Sequence, residues 1–199
     1  MIEKLRIMIS RLFAFALVVV ILVSSSTFEE RLPFFSTLLF FAGIVLVAVA
    51  SMGRLWCSLY IAGYKTETLI TQGPYSICRN PLYFFSLVGA VGVGLATETV
   101  LIPVVILLAF AAYYPFVIKS EEVRLLKIHG TAFSTYSQTV PRFFPRLSQM
   151  TEPDENEVKP KVYKDHMFDA LWFVWIVGFL EIIEELHALQ LIPTVFKIF

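Results

Sequence analysis

Two short stretches of this chain carry side chains suited to binding and orienting a small charged ligand. The first, Gly73-Pro74-Tyr75-Ser76-Ile77-Cys78-Arg79-Asn80-Pro81-Leu82-Tyr83, sets a cation and two phenols among turn formers. Pro74 and Pro81 fix φ, Gly73 permits a turn, and the residue before each proline is pushed out of the helical region. A rigid connection ending at a helix start is therefore expected. The first amides of a helix lack intrahelical partners and carry partial positive charge, which suits a carboxylate or a phosphate. The same residues also describe a membrane-entry turn, with Tyr75 and Tyr83 in the interfacial aromatic belt and Arg79 at the headgroups.

The second stretch is Glu121-Glu122-Val123-Arg124-Leu125-Leu126-Lys127-Ile128-His129-Gly130, followed by Phe133, Tyr136, Val140, Pro141 and Arg142. Adjacent carboxylates at the end of an apolar segment are costly unless water or a cation meets them, and an ammonium group is such a cation. In the alternative, Glu121 pairs with Arg124 at i, i+3 on a solvated amphipathic helix.

The elements that must position these residues belong in lipid. Hydrophobic residues make up 57% of the 199 positions and charged ones 16%, a balance that suits a bilayer better than water. Acidic and basic residues number 16 each, so no overall field points to nucleic acid. Five apolar runs predict an all-α bundle of five spans: 12–28, 34–53, 82–97, 100–118 and 168–193. The first, preceded by Lys4, Arg6 and Arg11, is expected as a retained helix and not as a signal peptide, because Ser24-Ser25-Ser26 makes a weak cleavage site. Pro33 suits the start of the second, Glu98 marks the outer tip of the hairpin joining the third and fourth, and Pro103 and Pro115 are expected near the ends or at a kink of the fourth. Residues 119–147 start as an amphipathic helix and break at Pro141 and Pro145. Residues 151–165, rich in charge and proline, make a solvated linker.

Lys and Arg concentrate in the N-terminus, the 54–79 loop and the 119–164 segment, which places all three on the cytoplasmic side. Gly89, Ala90, Gly92, Gly94 and Ala96 are expected to serve close helix packing, since no strand precedes them. His129, His166 and His187 lack metal-ligand spacing and no metal is assigned. Cys57 and Cys78 are expected as free thiols. Glu181, Glu184 and Glu185 are expected to meet water at the outer end of the last helix, and Trp56, Trp172 and Trp175 to anchor at the interface.

In their order, Gly73-Pro74-Tyr75, Arg79-Asn80-Pro81-Leu82-Tyr83, Glu121-Glu122, Leu125, Gly130, Phe133, Tyr136 and Val140-Pro141-Arg142 resemble the isoprenylcysteine carboxyl methyltransferase and phospholipid methyltransferase superfamily. The resemblance spans about seventy residues, with one helical hairpin between its halves, a separation of the length those methyltransferases show. It implies a membrane methyltransferase using S-adenosylmethionine, with a cytoplasmic cofactor pocket built from Gly73, Tyr75, Arg79, Asn80, Pro81, Tyr83, Glu121, Glu122 and Tyr136. Such a pocket needs a carboxylate for the ammonium, donors for the carboxylate and aromatic faces for the cation and base. Many relatives carry histidine where this chain has Asn80, which hydrogen-bonds but does not titrate near neutral pH. Asn80 and Arg142 are the candidate catalytic residues, Arg142 as the holder of an anionic acceptor.

The resemblance implies a lipid-like or small amphiphilic acceptor, an isoprenylcysteine-type carboxylate among them. It also implies a multi-pass protein of the inner membrane in a bacterium or of the endoplasmic reticulum in a eukaryote. Three units are expected: an N-terminal hairpin (1–56), a cofactor-binding core (57–150), and an acidic linker with a last span (151–199). The competing classes are an NADPH-dependent membrane reductase of sterols or polyprenols, which shares an arginine-X-proline-X-tyrosine segment, and a non-catalytic relative.

Overall fold

Proline sets the start of four helices. Pro33, Pro74, Pro81 and Pro160 each occupy a first helical position, where the missing N–H costs no intrahelical bond and the fixed φ suits the helix. The computed structural model describes residues 12, 15–62, 64 and 68–199. The chain is helical over 15–23 (α1), then forms β1 (Ser24–Ser26), α2 (Thr27–Arg31) and α3 (Pro33–Ile61). After α4 (Pro74–Ile77) come α5 (Pro81–Leu95), α6 (Leu101–Thr139), α7 (Pro160–Ala188) and β2 (Phe196–Ile198).

The architecture is an all-α membrane bundle. α3, α7 and the Leu101–His129 part of α6 are long and apolar enough to cross a bilayer, and α5 is a shorter apolar helix. Phe41, Met52, Leu108, Phe116 and Trp172 stand exposed on these helices, as side chains facing lipid do. α3 and α5 cross with their backbones in contact: a Cβ added at Gly43 would lie 2.6 Å from the Gly92 carbonyl oxygen, and one at Gly92 2.8 Å from that of Gly43. Beside this crossing Val47, Val93, Ala96, Val177 and Leu180 bury one another, joining α3, α5 and α7. The small residues of the third apolar run thus serve helix packing, as their spacing predicts.

Four features depart from the sequence pattern. The first apolar run is helical over 15–23 but turns extended at Ser24, where β1 pairs in parallel with β2, Ser24 opposite Phe196. Lys4, Arg6 and Arg11 lie outside the described residues. Periodicity gives no sign of so short a pairing, which joins segments from the two ends of the chain. Second, α3 runs to Ile61, about two turns beyond the expected end at Gly53, so Arg54 sits on a helix and not in a loop, and the helix continues through position 56. Third, α7 starts at Pro160 inside the expected linker and ends at Ala188. Charged composition reports solvation and does not decide whether the backbone is helical.

Fourth, the fourth span and the amphipathic segment are one element, α6, with Pro115 inside it and a break at Gly130, whose φ of 52° and ψ of −122° are non-helical. An L side chain is strained in that conformation. A Cβ there would meet nothing within 4 Å, so Gly130→Ala isolates the conformational cost, expected at about 2 kcal/mol of stability in thermal unfolding. An unchanged midpoint would show that the redirection of 131–139 does not depend on glycine.

Candidate functional site

Past the Gly130 break, the end of α6 and the chain after it fold back along the turn that precedes α5. The N–H of Arg79 donates to the Pro141 carbonyl at 2.9 Å, that of Arg146 to Ile77 at 2.9 Å, and that of Gly73 to Thr151 at 2.8 Å. Thr151 N–H donates to Ser76 Oγ at 3.0 Å, and Tyr136 Oη donates to the Tyr75 carbonyl at 2.7 Å. Asn80 Nδ2 donates to the Arg142 carbonyl at 2.9 Å and the Cys78 thiol to that of Phe143 at 2.9 Å. Each such bond contributes about 1 kcal/mol net, and together they lock the two chemically equipped stretches into one unit. Both cysteines are free and buried, and burial pushes the Cys78 thiol up to about 11, so it stays protonated at neutral pH.

Glu122 sits inside this unit between two guanidiniums. Its Oε1 lies 3.1 Å from Arg79 Nη2 and its Oε2 lies 2.9 Å from Arg142 Nη2. Arg79 also donates through Nη1 to the Ser137 carbonyl. The side chains of Arg79 and Glu122 are 9% and 13% exposed, whereas that of Arg142 is 60% exposed, so the inner pair is the buried one.

Next to this clamp lies a cavity of about 310 Å³ between α3, α5, α6 and the start of α7. Tyr75, Arg79, Asn80, Pro81 and Tyr83 line it from the α4–α5 segment, and Glu121 and Tyr136 from α6. Burial raises the Tyr75 and Tyr136 phenols, for Tyr136 against the opposing pull of Arg79, so both act as neutral donors. Tyr75 Oη, Arg79 Nε and Arg54 Nε are buried with no hydrogen-bond partner among the described residues, and all three residues line this cavity. Buried polar atoms are nearly always paired, so three such donors at one cavity mark a place for a polar ligand. Aromatic packing closes the neighbouring wall: the Tyr83 ring lies 5.3 Å edge-on from Tyr114, which stacks on Phe110 at 3.7 Å, and Phe143 packs 5.8 Å from Phe110.

Of the residues singled out in the sequence, Gly73, Glu122 and Arg142 do not line the cavity. Gly73 shapes the turn against the Tyr60 ring, with φ of 58°, while Glu122 and Arg142 act on Arg79 from behind. Asn80 lines the cavity yet also anchors the Arg142 backbone. No ion pair joins Glu121 to Arg124 among the described residues, and both open on the cavity. Sequence reasoning missed Arg54, Ser86, His166 and Asp169. Arg54 carries a usable signal, because it is the one charged residue of the apolar α3. His166 carries none, since the helix that presents it was not expected to start before 168, whereas Asp169 falls inside that expected span and carries the same signal as Arg54. At the opposite end of the bundle Glu184 and His187 line a second, smaller cavity of about 200 Å³, while Glu181 and Glu185 stay exposed outside it.

Comparison with known proteins adds to this geometry. The phospholipid methyltransferase family profile matches residues 31–132, which take in α3, α5 and α6 through the acidic pair. The nickel-cobalt-cadmium resistance protein NccN of Alcaligenes xylosoxydans xylosoxydans is 35% identical over 95% of this chain and 87% of its own length. The cobalt-zinc-cadmium resistance protein CzcN of Cupriavidus metallidurans is 40% identical over 76% of this chain and 70% of its own. No solved structure matches.

Proposed function

The chain belongs to the phospholipid methyltransferase family, and from that membership we propose that it moves a methyl group from S-adenosylmethionine to an amphiphilic acceptor held in the membrane. The observation that carries the cofactor assignment is the pair of unpartnered buried donors, Tyr75 Oη and Arg79 Nε, in a cavity that also presents the Glu121 carboxylate and the rings of Tyr83 and Tyr136. The residues fit the group. Glu121 is the acceptor for the ammonium of its amino-acid end, and Arg79 with the start of α5 supplies donors for the carboxylate. Tyr75, Tyr83 and Tyr136 offer faces for the sulfonium and the base.

When bound, S-adenosylmethionine supplies an electrophilic methyl on a sulfonium. The protein's part is to align an acceptor lone pair with that methyl and to exclude water. An acceptor already ionised, such as a carboxylate or thiolate, needs no general base, so asparagine at position 80 is compatible with turnover. Asn80 is a positioning residue in this scheme: it ties the turn to Arg142, whose guanidinium reaches the cofactor side only through Glu122. Isoprenylcysteine carboxylates, lipid amines and small thiols are the acceptor classes to screen. The basic loops support a site on the cytoplasmic face.

Both relatives are named for resistance to divalent metals. Among the described residues no three His, Cys, Asp or Glu side chains gather as a metal-holding group. We propose that the metal resistance for which these relatives are named is the setting in which a methylated membrane product acts.

A hydride-transfer site for NADPH is the competing reading, favoured by the three arginines Arg54, Arg79 and Arg124 that line the cavity. Calorimetry of the detergent-purified protein with S-adenosylhomocysteine and with NADPH separates the two: binding of the first alone is expected, and binding of NADPH alone would overturn the assignment. Glu121→Gln should weaken S-adenosylhomocysteine about tenfold, the worth of one charge-assisted hydrogen bond. Thermal stability should hold, because Glu121 forms no ion pair among the described residues. Unchanged affinity would remove Glu121 from the site.

A further inference from the structure

Arg54 stands in an unusual position for a guanidinium. It is the one charged residue of α3, seven residues before Ile61, which puts it about 10 Å along the helix axis from that end. A charge in the apolar part of a spanning helix is costly and ordinarily faces a cavity or a partner. Nη1 donates to Ser86 Oγ at 2.5 Å, the guanidinium lies 5.7 Å from the centre of the Phe173 ring, and the Asp169 carboxylate, which lines the same cavity, attracts it through space without forming an ion pair. Among the described residues it forms no ion pair, and its Nε is buried without a partner.

The other two arginines of the cavity differ. Arg79 is matched by Glu122, and Arg124 is exposed to solvent. Arg54 is thus the half-buried positive charge of the cavity wall that makes no direct ion pair among the described residues, with Asp169 acting on it only through space. Ser86, its hydrogen-bond partner, lies more than one turn into α5 from the end that carries Arg79 and Asn80. Arg54 therefore faces the part of the cavity farther into the bundle, away from the turn assigned to the amino-acid end of the cofactor. A group that enters from the hydrocarbon side and carries negative charge meets it there.

We propose that Arg54 is the specificity residue of the site, fixing the anionic group, carboxylate or phosphate, of the amphiphile that receives the methyl. This rests on the methyltransferase reading. Ser86 holds one guanidinium nitrogen and Phe173 covers its face, leaving the remaining N–H groups in the fork geometry that matches a carboxylate or phosphate.

The test compares three single-chain probes on the full-length protein by native mass spectrometry: N-oleoylglycine for a carboxylate, oleoyl lysophosphatidic acid for a phosphate, and monoolein as the uncharged control. The wild type should retain at least one anionic probe about tenfold better than monoolein. Arg54→Gln should lose that preference and Arg54→Lys should recover part of it, while S-adenosylhomocysteine, titrated into the same samples, binds all three proteins alike. Which anionic probe is retained tells a carboxylate acceptor from a phosphate headgroup. Absence of preference in the wild type, or its survival in Arg54→Gln, overturns the proposal. So does a parallel loss of S-adenosylhomocysteine, which would assign Arg54 to the cofactor. Failure of the wild type to bind S-adenosylhomocysteine removes the methyltransferase reading itself, a separate result read from the same titration.

Discussion

Gly73→Ala is expected to be among the most damaging single changes outside the spanning helices, lowering stability by about 4 kcal/mol and abolishing S-adenosylhomocysteine binding. Two independent costs add. The backbone at Gly73 has φ of 58° and ψ of −132°, a conformation open to glycine and strained for any L side chain. A Cβ there would also overlap the ring of Tyr60, itself buried at the end of α3. The turn has little room to yield, because Gly73 N–H is bonded to Thr151 and its carbonyl accepts from Ser76 Oγ at 2.7 Å. Thermal unfolding in detergent checks the size, and the double variant Gly73→Ala/Tyr60→Leu separates the costs. Relief of the ring overlap should return roughly half of the loss and leave the backbone half in place. Full recovery would show that the φ value carries no strain, and an unchanged single variant would show that the turn is more plastic than its hydrogen bonds imply.

Glu122→Gln should cost on the order of 3 kcal/mol, because it leaves the buried Arg79 guanidinium without its counter-charge. The contrast with Arg142→Gln is the sharper result. Arg142 meets the same carboxylate at 2.9 Å, but its side chain is 60% exposed and solvent screens the pair, so its loss should cost no more than about 1 kcal/mol. Differential scanning of the two variants in one detergent tests that order. Binding should follow it: Glu122→Gln frees Arg79 to swing from the cavity and weakens S-adenosylhomocysteine by more than about tenfold, while Arg142→Gln changes it little. Equal effects from both substitutions would mean that the outer pair shares the work and that Glu122 is no buried anchor.

Both variants bear on why the sequence only partly disclosed the site. The paired carboxylates Glu121 and Glu122 were visible as an anomaly at the end of an apolar run, but adjacent residues on a helix point about 100° apart. Which of them opens on the cavity and which turns back to Arg79 depends on how α6 is rotated against α5. Spacing along one helix does not contain that angle. Arg54 shows the same limit from another side. Counted with a loop, it looked like a topogenic charge; seen on a helix that continues to Ile61, it is a charge within the bundle.

What the sequence determined by itself was the class of molecule and the local chemistry. Apolar runs of spanning length fixed an all-α membrane bundle, since a bilayer leaves the backbone no other way to pair its polar groups than helices or a closed barrel. Proline and glycine marked the starts of α3 and α5 and the turn at Gly73, because their φ restrictions and freedoms act within one or two residues. The tertiary structure decided which side chains converge. The return of residues 141–151 along the Gly73–Asn80 turn, the splitting of Glu121 from Glu122, and the arrival of His166 and Asp169 from α7 arise from hydrogen bonds and packing between segments distant in the chain. Such contacts depend on helix rotation and depth, which a linear pattern of residue types leaves free.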